Sequence, residues 1–358
     1  MLLYYLNKSS MLKFFTKDDI QKIRNGYYTD VYLNRTKNIL QKENNQAVVT
    51  MQVFQKNIDS IFCGLNEVKE LLKNCSGFFR NSKWIDKSDT LSLRSVREGA
   101  TIMSEEPIIH ITGPYIYFAH LETVFLGILS RRTLIATNVN RVVKAAGKKE
   151  VIFFAARSDY FKNQTGDGYA AYIGGVKKVC TQAHIQWWDG LAVGTIPHSL
   201  IAVYGGDTVK AARLFSKNYP QIPLICLVDF NNDCVTTSLE VARVLGKKLF
   251  GVRLDSAETV IDKTFSNENK APTGVNVELV KRVRRALDEN GFSHVKIIAS
   301  GGFTAHKIRL FEKYKAPVNI YGVGSSLLKG SNDFTTDIVK VGNRHIAKEG
   351  RKYREIKP

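Results

Sequence analysis

Residues 295–304 of this chain read VKIIASGGFT, an apolar run that ends in a serine and two glycines. A short apolar run without alternation is typical of a strand that is buried on both faces of a parallel sheet. Glycine lets the backbone turn tightly and approach a bound group closely. The stretch therefore predicts a buried strand, a tight turn and a helix that begins near Thr304.

The same unit of short apolar strand and amphipathic helix recurs between about residue 115 and residue 330. This alternation is typical of a parallel sheet covered by helices. Six or seven such units favour an irregular parallel α/β barrel, with an open doubly wound sheet as the alternative. Strands are predicted over residues 151–155, 222–228, 249–254, 295–299 and 318–322. Helices are predicted over residues 115–130, 133–146, 207–216, 235–245, 276–290 and 304–314.

The two ends of the chain follow a different pattern. Residues 16–19 resemble a capped helix start, and a second helix is predicted over residues 30–40. Strands are predicted over residues 47–53 and 108–113, and the C-terminal segment predicts a hairpin around Gly342. A hairpin cannot extend a parallel barrel, so we expect it to return to the N-terminal layer. The predicted organisation is an α+β sandwich-like domain of residues 1–114, a barrel with the active site of residues 115–330, and a hairpin of residues 331–358.

The composition is that of a globular protein with a large excess of positive charge. Hydrophobic residues make up 44% of the chain, which allows a sizeable core. No apolar run approaches the roughly 18 residues that span a bilayer, so we expect a cytoplasmic protein with no membrane partner. Met11 is an alternative start, which would make residues 1–10 an upstream extension.

The 52 Lys and Arg residues exceed the 33 Asp and Glu residues and give a formal charge of +19. Such a charge implies an anionic partner: nucleic acid, a membrane surface or phosphorylated substrates. Only residues 344–354 form a dense basic cluster, and no RNA-recognition or zinc-finger pattern accompanies it, so nucleic acid is not an expected partner. The five cysteines include no Cys-x-x-Cys pair, so we expect reduced structural thiols and no metal site at Cys63, Cys75, Cys180, Cys226 and Cys234.

Two glycine-containing turns follow the last two predicted strands. They read SGGF over residues 300–303 and GVGSS over residues 322–326. Backbone N–H groups of such turns approach a phosphate closely, and a helix N-terminus adds partial positive charge. Either turn alone could be a tight connection, but two at successive strand ends predict a phosphate-binding site.

Charged side chains follow other predicted strands at the same edge. Arg157 follows an apolar run, and Arg253 and Asp255 lie two residues apart, so both point to the same face of their strand. The pair could form a structural ion pair, or it could hold anionic oxygens and sugar hydroxyls. His198 follows a Gly-Thr turn in VGTIPHSL, residues 193–200, and taken alone it could be a solvated histidine.

The order of these motifs resembles that of the nicotinate phosphoribosyltransferase family. The resemblance extends from about Met11 to the C-terminal hairpin. It is carried by the segments YTDVY (28–32), FFAAR (153–157), AYIGG (171–175), GTIPHS (194–199), VRLDS (252–256), SGG (300–302) and GVG (322–324).

This resemblance implies transfer of a 5-phosphoribosyl group from phosphoribosyl pyrophosphate to the ring nitrogen of nicotinate, in NAD biosynthesis. It also implies coupling to ATP hydrolysis through a phosphohistidine, with His198 as the phosphoryl acceptor. Asp255 matches a position that faces the ribose, and Arg157 with Mg²⁺ would neutralise the departing pyrophosphate. The cosubstrates implied are thus ATP and phosphoribosyl pyrophosphate.

The resemblance also implies where the base and the phosphate bind. Phe154 would stack on one face of the pyridine ring, and Tyr32 of a second subunit would reach the other face, in a homodimer with active sites at its interface. Arg253 would meet the nicotinate carboxylate or a nearby phosphate, and Thr195 is expected to contact substrate. The 5′-phosphate is expected at Ser300, Gly301, Gly302, Val323 and Gly324.

Two features depart from the family pattern. Ala156 and Ser158 flank Arg157, where relatives often have glycine and a second arginine. Some relatives continue into a cysteine-rich metal-binding tail that this sequence lacks, so no structural zinc is expected.

Three other functions are considered. Quinolinate enzymes need no phosphohistidine, so the Gly-Thr-x-x-His-Ser segment argues against quinolinate. A nicotinamide enzyme would place a carboxylate against the amide, and residues 194–196 contain none, so nicotinamide is the alternative acceptor. A non-catalytic nucleotide-binding relative is the alternative from another class, although His198, Arg157 and Asp255 together favour catalysis.

Overall fold

The computed structural model describes residues 2–5 and 12–357, so the alternative start at Met11 lies outside the described residues. The chain divides into two compact units. The first consists of residues 1–137 and 330–358, and the second of residues 138–329. The division thus falls after Thr137, inside a helix, whereas the sequence interpretation placed a boundary after residue 114.

The helices and strands are numbered in chain order. The strands are β1 (Leu2–Tyr5), β2 (Val48–Gln55), β3 (Ser60–Ile61), β4 (Gly77–Arg80), β5 (Lys83–Asp86), β6 (Ser92–Ser95), β7 (Thr101–Ile102), β8 (Ile109–Pro114), β9 (Glu150–Phe153), β10 (Lys178–Val179), β11 (Leu191–Ala192), β12 (Leu224–Leu227), β13 (Leu249–Leu254), β14 (Lys296–Ala299), β15 (Ile320–Val323), β16 (Phe334–Val341) and β17 (Arg344–His345). The α-helices are α1 (Lys17–Arg24), α2 (Val31–Lys42), α3 (Leu65–Cys75), α4 (Glu122–Ala146), α5 (Gln164–Gly174), α6 (His198–Val203), α7 (Thr208–Asn218), α8 (Cys234–Leu245), α9 (Val277–Glu289) and α10 (Ala305–Lys313).

The first unit is built on an antiparallel sheet in the order β1-β6-β8-β2-β16-β17. Alternate residues of β2 face a core that also contains α3, and Met51 and Val53 are buried in it. On the other face of β2, the Gln52 side chain accepts a hydrogen bond from the Arg354 backbone N–H at 3.0 Å. The C-terminal segment therefore packs against the second face of this sheet.

One long helix, α4, stands where two helices over residues 115–130 and 133–146 were predicted, and that prediction was wrong. Residues 115–117 and 119–121 form short 3₁₀ turns before α4 begins. The buried Thr133 hydroxyl accepts a hydrogen bond from the Cys63 backbone N–H at 3.1 Å. Because this hydroxyl is satisfied by another element, Thr133 does not interrupt the helix.

The second unit is built on a parallel sheet in the order β11-β10-β9-β15-β14-β13-β12. The sheet curls into a half-barrel, and helices α5 and α7–α10 lie between successive strands in the chain. The edge strands β11 and β12 do not pair with each other as a ladder, but the N–H of Ile196, which follows β11, donates to the carbonyl of Ile225 in β12 at 3.1 Å. The predicted α/β fold is thus confirmed.

The apolar pattern explains how this unit is packed. Ile297, Ile298 and Ala299 of β14 have no exposed surface, as the continuous apolar run predicted. The buried residues of α9 recur at helical spacing, namely Leu279, Val280, Val283 and Leu287. Within the described residues, no helix is long and apolar enough to span a membrane.

Candidate active site

The carboxyl ends of β9, β13, β14 and β15 surround a polar cavity of about 480 Å³. These four strands are neighbours in the sheet and run parallel, so the residues that follow them meet at one edge. The residues lining the cavity include Phe154, Arg157, Arg253, Asp255, Glu258, Ser300, Gly301, Gly302, Thr304, Gly322, Gly324, Ser325, Ser326 and Lys329.

Arg253 is the centre of a hydrogen-bond network at this edge. Its Nε donates to the Ser300 Oγ at 2.8 Å, and its Nη1 donates to the Thr195 Oγ1 at 3.0 Å. Its Nη2 lies 3.1 Å from an Asp255 carboxylate oxygen. The Ser300 hydroxyl in turn donates to the Asp255 Oδ1 at 2.6 Å, which closes the network. The network fixes the positions of residues from three different strand ends.

Two glycines shape the turn after β14. Gly301 and Gly302 have φ angles of +84° and +66°, which side chains rarely adopt. A side chain at Gly302 would also collide with the Glu258 carboxylate. The N-terminus of α10 follows directly, and the Thr304 hydroxyl caps it by accepting from the Lys307 N–H at 3.2 Å. A glycine turn before a helix start is a suitable place for a phosphate.

Phe154 packs against Gly322 of the neighbouring strand β15, at the carboxyl end of the half-barrel. A Cβ atom at Gly322 would stand 2.7 Å from the Phe154 ring, so glycine is needed there. The guanidinium carbon of Arg253 lies 4.8 Å from the centre of the same ring. Below Phe154, an apolar cavity of about 520 Å³ occupies the half-barrel and is lined by Ile152, Val193, Ile225 and Ile320.

Two cations line the polar cavity without an ion-pair partner in the described part of the chain. Arg157 and Lys329 are both exposed, and neither forms a hydrogen bond from its side chain to another described residue. Charged groups without a partner at a cavity wall are available to bind an anion. Glu258 and Asp255 place carboxylates at the same cavity.

His198 stands at the first position of α6 and pairs with a carboxylate. Its Nε2 lies 3.1 Å from the Oδ1 of Asp229, which follows β12 and whose side chain is only 6% exposed. The hydrogen bond to Asp229 raises the pKa of His198, and Asp255 raises it further through its charge while burial opposes both. Because Nε2 carries the proton given to Asp229, the neutral ring has its free lone pair on Nδ1.

The sequence-predicted residues fall into three groups. Phe154, Arg157, Arg253, Asp255, Ser300, Gly301, Gly302 and Gly324 line the polar cavity. Thr195 lies in the loop after β11, which contacts the cavity through the bond from Arg253 to Thr195, and His198 begins α6 after that loop. The other two do not line the cavity: Val323 is fully buried, with its carbonyl accepting from the Phe154 N–H, and Tyr32 is on α2 in the first unit with 61% of its surface exposed.

Sequence reasoning missed Asp229, Glu258 and Lys329. Asp229 could have been found, because it follows the predicted strand 222–228 in the same way as the other polar residues at this edge. Glu258 and Lys329 lie in irregular segments, where the sequence does not show which way a side chain points.

Comparisons with known proteins indicate the family of the chain. The family model described as quinolinate phosphoribosyl transferase, N-terminal domain, matches residues 30–133. The nicotinate phosphoribosyltransferase of Bacillus subtilis (strain 168) is 25% identical over 237 residues, which are 65% of this chain and 45% of that protein. The chain therefore spans about half the length of the curated relatives it matches.

Two solved structures share the fold. The nicotinate-nucleotide pyrophosphorylase of Pyrococcus furiosus is 31% identical, with a TM-score of 0.78, over 96% of this chain and 82% of that one. Human nicotinic acid phosphoribosyltransferase has a TM-score of 0.70 at 16% identity, over 91% of this chain and 77% of that one. With this fold and this similarity to the Pyrococcus structure, the chain belongs to the type II phosphoribosyltransferase family.

Proposed function

We propose that this protein transfers a 5-phosphoribosyl group from phosphoribosyl pyrophosphate to nicotinate, and that ATP hydrolysis is coupled to the transfer through His198. The observation that carries the proposal is the polar cavity, in which Arg157, Arg253, Asp255 and the glycine turn converge. The relatives with similar sequences include a nicotinate phosphoribosyltransferase and a nicotinate-nucleotide pyrophosphorylase, which supports the choice of a pyridine base.

The cavity supplies complementary charge for each part of the phosphoribosyl donor. The 5′-phosphate fits the turn at Gly301 and Gly302, beside the N-terminus of α10. Arg157 and Lys329 are free to bind the pyrophosphate. Asp255, held by Ser300, is suited to accept hydrogen bonds from the ribose hydroxyls. Loss of pyrophosphate leaves a cation-like ribosyl carbon, which a fixed carboxylate stabilises.

The acceptor base fits between the cavity and the apolar half-barrel. Its ring would stack on Phe154, and its carboxylate would meet Arg253. A guanidinium has five N–H groups, and three nitrogens of Arg253 each give one to Thr195, Asp255 or Ser300. The remaining N–H groups on its two terminal nitrogens can donate to the substrate, so Arg253 both organises the site and binds an anion.

Mg²⁺ fits this site as a metal shared with the substrate. No three His, Cys, Asp or Glu side chains converge on a metal position within residues 12–357. Mg²⁺ is usually held by one or two carboxylates together with phosphates and water, and Asp255 and Glu258 supply such oxygens. Bound there, the ion would neutralise charge on the departing pyrophosphate.

His198 is proposed to accept the γ-phosphate of ATP. Asp229 holds the Nε2 proton, so the Nδ1 lone pair attacks the phosphorus and ADP leaves. Water later cleaves the N–P bond and releases phosphate. His198 must be neutral to attack, so phosphorylation increases as the pH rises through its raised pKa.

Labelling with γ-labelled ATP tests the coupling. His198→Asn is expected to abolish the acid-labile label and the stimulation by ATP, while some transfer without ATP remains. His345→Asn replaces an exposed histidine of the other unit and should keep both. Unchanged ATP stimulation in His198→Asn would contradict the proposal.

Quinolinate is the second candidate acceptor, because the matching family model carries its name. Product formation from nicotinate, nicotinamide and quinolinate, each with and without ATP, separates the candidates. We expect nicotinate to be the base whose use ATP stimulates. Use of quinolinate alone, without stimulation by ATP, would favour the second candidate.

A further inference from the structure

The amino ends of the parallel strands form the end of the second unit that lies opposite the candidate active site. Six turns lead from a helix, or from the residues after it, into a strand at this end: residues 147–149, 175–177, 219–223, 246–248, 290–295 and 314–319. They contain no Asp or Glu. They do contain six lysines, namely Lys148, Lys149, Lys177, Lys247, Lys248 and Lys315. We call these turns the basic end.

Further lysines flank the same turns. Lys144, Lys217 and Lys313 are exposed in the last turns of α4, α7 and α10, and Lys296 is exposed at the start of β14. Few carboxylates offset them. Glu150 pairs with Lys178 at 2.8 Å, and Glu312 pairs with Lys149 at 2.7 Å. The other carboxylates near these turns in the described chain belong to Asp189, Asp288 and Glu289. Asp288 pairs with Arg284.

The loops at the opposite end of the same unit carry charges of both signs. They contain Asp229, Asp233, Asp255, Glu258 and Asp262, and also Arg157, Lys263, Lys270 and Lys329. The turns of the basic end differ from them because they contain lysines and no carboxylates. The substrates proposed above bind at the opposite end, so they do not explain the lysines at the basic end.

Helix dipoles account for only part of the excess of lysine at the basic end. The carboxyl ends of α5, α7, α8, α9 and α10 all lie at the basic end, and cations are stabilised there. That effect falls off within the last turn of a helix. Lys248 and Lys296 lie beyond the helices that precede them, beside or within strands β13 and β14.

A groove at the basic end combines these lysines with an exposed aromatic ring. It has a volume of about 390 Å³, and its lining includes Phe250 with Lys247, Lys248, His294 and Lys296, together with the uncharged residues 220–223. The Phe250 side chain belongs to β13, and 38% of its surface is exposed. Lysines along a groove with an aromatic ring in its floor are typical of surfaces that bind single-stranded nucleic acid.

We propose that the basic end binds single-stranded nucleic acid, with the phosphates on Lys247, Lys248 and Lys296 and a base stacked on Phe250. Lysines act as point charges without the planar geometry of arginine, so the contact reads no sequence. A bilayer surface is the other polyanion of comparable size. The groove favours nucleic acid because Phe250 and the three lysines line the same depression, so that one strand can contact the charges and the ring together.

Fluorescence anisotropy with a labelled oligouridylate of about 20 nucleotides tests this proposal. We expect the affinity to fall steeply between about 50 and 200 mM KCl. The variant Lys247→Glu/Lys248→Glu/Lys296→Glu should bind at least tenfold more weakly, and the slope of its salt dependence should be smaller by about two. Phe250→Ala should weaken binding by about tenfold through loss of stacking.

A matched variant controls for total charge. Lys17→Glu/Lys42→Glu/Lys56→Glu makes the same change at exposed lysines of the first unit and should bind like the parent protein. Equal loss in this control, absence of binding in the parent, or unchanged affinity of Phe250→Ala would overturn the proposal. So would binding to phosphatidylserine vesicles without binding to the oligonucleotide. Phosphoribosyl transfer by the triple variants, measured in parallel, reports that they are folded.

Discussion

A single residue, Arg253, holds together parts of the site that are distant in the sequence. Arg253 joins Thr195, Asp255 and Ser300, which follow three different strands. Its guanidinium also contacts the ring of Phe154, which follows a fourth strand. Each partner is a short polar side chain at a strand end. Loss of Arg253 would remove a donor from the buried Ser300 and from the partly buried Thr195 and Asp255, so its substitution would disturb the whole edge as well as the substrate contact.

Asp229 sets the protonation of His198, and Asp229→Asn tests this role. The amide carries no charge, so the pKa of His198 should fall. A neutral imidazole then exists at lower pH, and the acidic limb of the pH dependence of His198 phosphorylation should move to lower pH. The rate of label incorporation from γ-labelled ATP, measured as a function of pH, reports the shift.

Asp233→Asn is the matched control for this prediction. Asp233 caps α8, its carboxylate accepting from the Thr236 N–H at 3.2 Å, and asparagine caps a helix equally well. The control should keep the parent pH profile. If Asp229→Asn also keeps it, Asp229 does not hold His198.

At the scale of elements, the turn and helix start after β14 form one functional piece. Gly301 and Gly302 turn the chain, and Thr304, which lines the cavity, caps the start of α10. Strand, turn and helix were all predicted here, because each has a local signal. Strands β10 and β11 were missed because two residues each are too few to show a periodicity.

Thr304→Ala should separate the structural and binding roles of this cap. Loss of an N-cap typically costs about 1 kcal/mol of unfolding free energy. Asn276→Ala removes an equivalent cap from α9, where Asn276 accepts from the Leu279 N–H at 2.9 Å. Both variants should lose similar stability in urea denaturation, but only Thr304→Ala should raise the KM for phosphoribosyl pyrophosphate. An equal KM effect in both variants would contradict a phosphate site at this turn.

Helix α2 carries a buried lysine that makes stability depend on pH. The Lys37 ammonium lies 3.1 Å from the His120 ring, and burial lowers the pKa of Lys37 to about 7. The unfolded chain binds this proton up to a pH near 10.5, so the folded state binds fewer protons between these values. Burying the charged Lys37 lowers the unfolding free energy, and this penalty is largest below pH 7. The unfolding free energy therefore rises as the pH increases above 7.

Lys37→Met should remove that penalty. We expect a gain of roughly 1–3 kcal/mol in unfolding free energy at pH 6, which shrinks at pH 9. Lys42→Met, at the exposed end of the same helix, should give no such pH-dependent gain. Urea denaturation of both variants at the two pH values measures the difference. An equal effect of Lys37→Met at pH 6 and pH 9 would contradict a lowered pKa.

At the scale of the whole molecule, Tyr32 raises the question of a second subunit. The family resemblance implies that this residue reaches the active site of a partner subunit, and its ring is largely exposed on α2. If two subunits share each site, Tyr32→Ala and Arg157→Ala should complement each other. Mixed dimers then hold one intact site, so an equilibrated equal mixture should recover roughly a quarter of the parent activity. A mixture that remains as inactive as its components would exclude shared sites.

The sequence by itself determined the local chemistry of this protein. Continuous apolar runs such as residues 295–299 specified buried parallel strands, and Gly301 and Gly302 specified the turn after them. The ordered motifs also singled out Arg157, Arg253, Asp255 and His198. These features are visible because each depends on residues that are adjacent in the chain.

Only the tertiary structure decided which distant residues meet. It paired His198 with Asp229 and closed the Arg253 network. It also left the edge strands β11 and β12 unpaired with each other, so the barrel is only half formed. It also gathered lysines from separate turns at one end of the half-barrel, whereas along the sequence they look evenly spread. The physical reason is that parallel strands bring all their amino ends to one edge and all their carboxyl ends to the other, so that sheet order rather than sequence distance sets the neighbours.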